Sequence, residues 1–193
     1  MVKEKFILFQ DRRFILFTKL YWILFIISAI FFSCQPNKGV EQIVKEWQGK
    51  EILIPDGNLT YCVLGHDTCC TDLWDKPYKI LTYIDSIGCS ACQLGLHQWM
   101  VLIDSCKQLQ LDVTFVFVIH SDDFMQLTRD VQFFGFDYPL IYDYQNSFDK
   151  INHFPLSYRT FLLDKANKVK ILGSPINNPR IWELYKKVIL QQL

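Results

Sequence analysis

The chain has 193 residues, half of them apolar, with 20 basic and 20 acidic side chains and a formal net charge of zero. That length supports one hydrophobic core without metal or disulfide staples. Lys3, Lys5, Arg12, Arg13 and Lys19 lie in the first 33 residues against Glu4 and Asp11, five of the 20 positive charges and two of the 20 negative, leaving 15 and 18. The remainder is mildly acidic and has no basic block that could track a phosphate backbone, which excludes nucleic acid as a partner.

The N-terminus differs in kind from the rest of the chain. "LYWILFIISAIFF", Leu20 to Phe32, is a 13-residue apolar run with Arg12, Arg13 and Lys19 ahead of it. It is shorter than the ~20 residues of a membrane span and fits the ~7–15 of a signal h-region. The "FFSC" that ends it resembles a bacterial lipoprotein lipobox, which implies lipidation of Cys34, although Phe31 stands where such motifs usually carry Leu. The other reading is an uncleaved anchor with Cys34 unmodified. Either one puts the rest of the chain on the periplasmic side of the cell envelope, attached to a membrane, where cysteines meet an oxidising milieu. The expected organisation is a signal peptide or anchor over 1–33, a tether over 34–39 and one domain over 40–193.

In chain order, residues 35–57 predict a brief helix and a leading strand. Tyr78 to Ile84 reads as a strand, being rich in β-branched and aromatic residues. Ser90 to Gln108 reads as a helix, with Cys92, Leu96, Trp99, Ile103 and Cys106 on one stripe. "LDVTFVFVIH", 111–120, is a nearly continuous apolar run, as expected of a central strand covered on both faces. A helix capped by Ser121 or Asp122 runs to about Phe134, and 138–143 form a short strand. Residues 160–164 and 169–173 read as a hairpin, with Asn167 suited to a left-handed turn. Asn178 as N-cap and Pro179 at the first position begin a last helix with Ile181, Trp182, Tyr185, Val188 and Ile189 on its apolar face. The order βαβαβ, antiparallel hairpin, helix predicts an α/β fold with one mixed sheet and helices on both faces.

Cys89-Ser-Ala-Cys92 falls between the first strand and first helix of that series, and a CxxC in this context resembles the thioredoxin superfamily. "VLGHDTCCTDLWDKPYKILTYIDSIGCSAC" and "TFLLDKANKVKILG" are similar to envelope redoxins of the TlpA/ResA type, in which a small N-terminal hairpin precedes the motif. Gly88 stands where those proteins usually have Trp, and no proline separates the cysteines. Their cis-proline lies just before the segment equivalent to "TFLLD", where this chain has Tyr158 and Arg159. The resemblance carries the cis-proline, substrate-docking role to Pro155, whose alternative reading is an ordinary trans turn proline.

Thiol–disulfide exchange needs an exposed thiolate and a second thiol to resolve the mixed disulfide. Cys89, expected at a helix start where the dipole favours an anion, is the attacking candidate, and Cys92 the resolving one. Asp85 is a candidate proton acceptor for Cys92. The function expected is a thiol-disulfide oxidoreductase with no cofactor, whose partners are thiol-containing envelope proteins and an upstream electron donor. The alternative is a redox-silent or metal-carrying thioredoxin-like module. For zinc, His66 and Cys70 would join the pair, but Cys69 and Cys70 are adjacent and alternate faces on a strand. For copper, His153 would join it, although Sco-type chaperones place three residues between their cysteines. Cys106 reads as a core thiol, and pairing among Cys62, Cys69 and Cys70 stays open.

Overall fold

The computed structural model describes residues 38–55, 59–68, 71–86, 95–155 and 158–191. The chain divides into two compact units, Met1–Gln42 and Ile43–Leu193, and the sheet belongs to the second. Helix α1 (Lys38–Trp47) precedes strands β1 (Thr60–Val63) and β2 (His66–Thr68), and a 3-10 turn, Thr71–Trp74, leads into β3 (Tyr78–Ser86). Next come α2 (Leu96–Gln108), β4 (Val113–Ser121), α3 (Phe124–Phe134), β5 (Leu140–Tyr142), α4 (Ser147–Asn152), β6 (Thr160–Leu163), β7 (Val169–Leu172) and α5 (Pro179–Ile189). No helix among the described residues is long and apolar enough to cross a membrane.

The seven strands lie in the order β2-β1-β5-β4-β3-β6-β7. β3, β4 and β5 are parallel, while β6 and β7 on one side and β1 and β2 on the other run antiparallel to their neighbours. This is the mixed sheet expected from the element order, with the N-terminal hairpin fused to β5. Its turn, Leu64-Gly65, has positive φ at both positions (50° and 80°), the requirement of a two-residue hairpin loop matched to strand twist.

Period-2 alternation divides the core. Ile80 and Ile84 of β3 face α2 and α5, in a cluster with Leu96, Trp99, Ile103, Cys106, Tyr185 and Ile189. Leu81 and Tyr83 face the other way, into a cluster with Trp47, Phe148, Phe154 and Phe161. Trp47 lies 5.8 Å from Phe154 and 5.3 Å from Phe161, ring centre to ring centre. At the lower end of β3, fully buried Lys79 donates to the carbonyls of Trp74, Lys76 and Lys165 at 3.2–3.3 Å. Burial lowers its pKa from the ordinary lysine value, against the opposing pull of Asp164 and Asp75.

Several expectations meet corrections. α2 begins at Leu96, and Gly95 before it is left-handed (φ 56°, ψ 41°), so no right-handed helix runs unbroken from Ser90 to Gln108. The α3 cap is Asp123, whose carboxylate accepts from Gln126 N at 2.8 Å, while Ser121 Oγ accepts from Asp123 N. The leading strand reduces to a bridge between Glu51 and Lys168. Helix α4 was not anticipated: its single fully buried apolar residue, Phe148, is too little for a periodic signal. Buried Asp143 organises it, accepting from Ser147 N at 2.7 Å and Phe148 N at 2.9 Å. Other readings hold. Asn167 has φ 59°, and Asn178 caps α5 by accepting from Ile181 N, with Pro179 first in the helix.

Candidate functional site at the upper edge of the sheet

Cys34, Cys69, Cys70, Cys89 and Cys92 lie outside the described residues. What is described is the edge from which the chain departs toward Cys89. β3 ends at Ser86, in register with Ser121 of β4, and Asp85 is opposite His120. The β6 ladder stops lower, at Thr82 opposite Thr160, with one more bond beyond it from Tyr83 N to Arg159 O at 2.9 Å. The tip of β3, residues 84–86, is therefore held by β4 on one flank. On the other flank stands the Arg159 side chain.

The Arg159 guanidinium is 3.4 Å from the Asp85 carboxylate, with the side chains 21% and 25% exposed. It also lies 5.5 Å from the Tyr83 ring centre. Alternation along β3 puts Asp85 with Leu81 and Tyr83, on the face away from α2. Tyr83 is fully buried and its hydroxyl donates to Asn146 Oδ1. Burial pushes its phenol well above the ordinary range, with Asp149, Asp85 and Asp143 acting in the same direction and Arg159 opposing. His120 Nδ1 is 2.9 Å from the Asp143 carbonyl. Asp85 is thus engaged by a guanidinium, and Cys92, the thiol it was expected to serve, is outside the described residues.

Of the two readings of Pro155, the structure has the trans turn proline. No peptide bond among the described residues is cis, so Phe154–Pro155 is trans, and Pro155 forms a turn in which its carbonyl accepts from Tyr158 N at 3.3 Å. The residue directly before β6 is Arg159. The sequence carried the signal, since the "YR" before "TFLLD" is where the resembling family has its cis-proline, yet the ion pair to Asp85 joins residues 74 positions apart and has no local signature.

The described thiols are not reactive candidates. Cys62 and Cys106 are free and buried, and burial raises both to about 12, for Cys62 with the help of its hydrogen bond to Asp67. Among the described residues, no three His, Cys, Asp or Glu side chains converge to hold a metal. His66 lies on β2, and His153 is the left-handed cap of α4.

A mixed sheet with parallel β3-β4-β5, an antiparallel β6-β7 hairpin and helices on both faces is the thioredoxin-like fold. The solved structures similar to it agree. A thioredoxin-like protein in its oxidised form matches at 13% identity, over 78% of this chain and 98% of that one, with a TM-score of 0.53. A candidate thiol:disulfide interchange protein, DsbE, from Chlorobium tepidum matches at 14% identity, over 74% and 97%, with a TM-score of 0.55. An uncharacterized conserved protein from Geobacillus kaustophilus matches at 16% identity, over 75% and 82%, with a TM-score of 0.57. These likenesses are of fold. No protein-family model matches the chain, and no curated protein matches it in sequence.

Proposed function

We propose that the protein is a membrane-attached thiol-disulfide oxidoreductase of the cell envelope, exchanging disulfides with client proteins through Cys89 and Cys92. One observation carries the reading: the chain leaves the upper end of an interior parallel strand of a thioredoxin-like sheet at Ser86, three residues before a CxxC. The fold neighbour from Chlorobium tepidum, described as a candidate thiol:disulfide interchange protein, supports it.

In the reducing direction, the Cys89 thiolate attacks one sulfur of a client disulfide, forming a mixed disulfide and releasing the client's other sulfur as a thiolate, which takes up a proton. Cys92 gives up its proton and attacks the Cys89 sulfur. The Cys89–Cys92 disulfide forms and the second client thiolate leaves, so two electrons have passed to the client. An upstream dithiol donor returns the pair to the reduced state by the same steps.

The test is a redox titration of residues 35–193 in dithiol/disulfide buffers. A reversible two-electron couple, lost in Cys89→Ser, is expected. No couple overturns the assignment in favour of a redox-silent or metal-carrying module, and one that survives in Cys89→Ser removes Cys89 from the reaction.

A further inference from the structure

Resting on that reading, we infer that Arg159 is a positioning residue for the dithiol, acting through Asp85 on the flank of the β3 tip beyond the end of the β6 ladder. Three contacts converge on it: its carbonyl accepts from Tyr83 N, its guanidinium pairs with Asp85, and the same guanidinium lies near the Tyr83 ring. Among the described residues, Asp85 and the Tyr83 ring are the partners of that side chain. The contacts fix the lead-in of β6 to the last residues of β3, where the β6 ladder has already ended.

The pair also sets the charge there. Cys89 is four residues from Asp85, so chain length alone keeps their Cα atoms within ~14 Å. At that limit or somewhat inside it, at an effective dielectric between protein surface and water, one uncompensated charge changes a thiol's ionisation by about two- to fourfold. Paired, Arg159 and Asp85 nearly cancel. Among the described residues, the other charged or titratable groups packed around them are Tyr83 on β3, His120 on β4, Asp143 after β5 and Asp149 on α4. Tyr83 responds to both partners, Asp85 raising and Arg159 lowering its phenol, but stays protonated at pH 7.

The single substitutions therefore have opposite effects. Arg159→Met leaves the Asp85 carboxylate uncompensated, disfavours the thiolate, and should slow Cys89 alkylation at pH 7 about two- to fourfold, with a more reducing couple. Asp85→Asn leaves the guanidinium uncompensated and should speed alkylation by a similar factor. The double variant should return to within about 1.5-fold of wild type, and Arg159→Lys should retain most of the wild-type rate. A purely structural role would shift both singles in one direction and the double further still, which would overturn the inference. If Arg159→Met does not fold, Asp85→Asn alone still decides it, because an unchanged or slower rate there contradicts the charge argument. Because each rate is read against the couple of the wild type, failure here leaves the oxidoreductase assignment standing, whereas absence of any couple removes that assignment first.

Discussion

Gly65 sits where the N-terminal hairpin passes over α3. Its φ is 80°, and a Cβ built there would collide with Thr128 Cγ2. Gly65→Ala therefore carries two separable costs. Placing an L-residue in the left-handed region costs roughly 1–2 kcal/mol. Pushing a methyl into Thr128 costs roughly 1–3 kcal/mol more, because a packed contact yields only by off-rotamer shifts. The total, about 2–5 kcal/mol, is a large part of a domain's stability. Thr128→Ser isolates the second cost, since it deletes Cγ2 and keeps the hydroxyl that is 3.2 Å from Tyr142 Oη. Thr128→Ser alone should lose about 1 kcal/mol for one methyl. In a double-mutant cycle measured by urea unfolding, the pair should be less destabilising than the sum of the singles by roughly 1–3 kcal/mol. Additivity within about 0.5 kcal/mol would refute the steric reasoning and leave only backbone strain.

Burial raises the Cys62 and Cys106 thiols to about 12 from 9.0. Both therefore contribute stability that is intact below pH 9 and is lost as pH rises toward 12, because the unfolded chain releases these protons first. Urea midpoints measured from pH 8 to 10.5 should fall, and should fall less steeply in Cys106→Ala; an identical slope would refute the assignment. Asp143→Ala removes the acceptor of two N–H groups at the start of α4 and should cost about 2 kcal/mol or more, with Asp143→Asn milder. An unfolding free energy within about 0.5 kcal/mol of wild type would show that α4 is held by Phe148 and Asn152 without this cap. For the N-terminus, labelling with a palmitate analogue should mark the wild type and not Cys34→Ala, and equal labelling of both would leave the transmembrane anchor.

The parts of this fold that could be read from the chain are those whose cause is local. Asn178-Pro179 dictates a helix start, Asn167 tolerates the left-handed turn, and the apolar run around Phe115–Ile119 requires two covered faces. Harder to see was anything decided between distant segments. Ser121, Asp122 and Asp123 are three chemically competent caps in a row, and only the path of β4 selects the third. Gly95 reads equally well inside a helix or before it, until its φ is known. At the candidate site, the cysteine spacing and its place after a strand were visible. The partnership of Asp85 with Arg159 was not, because a carboxylate at a strand's end fits solvent, base or ion pair equally.

β3 is anchored unevenly along its length. Lys79 at its foot binds carbonyls from the turn before it and from the β6–β7 loop, and residues 79–82 are laddered on both sides, whereas among the described residues 84–86 are laddered to β4 alone. The strand is a rod clamped at its base with a tip braced on one side. Opening of the tip requires breaking one ladder and one ion pair, while opening of the base requires unfolding the domain. Amide exchange along a single strand should therefore pass from global to local protection within a few residues. The compliance of this sheet is then concentrated where its chain departs toward Cys89, and fluctuations can reshape that end without loosening the core beneath it.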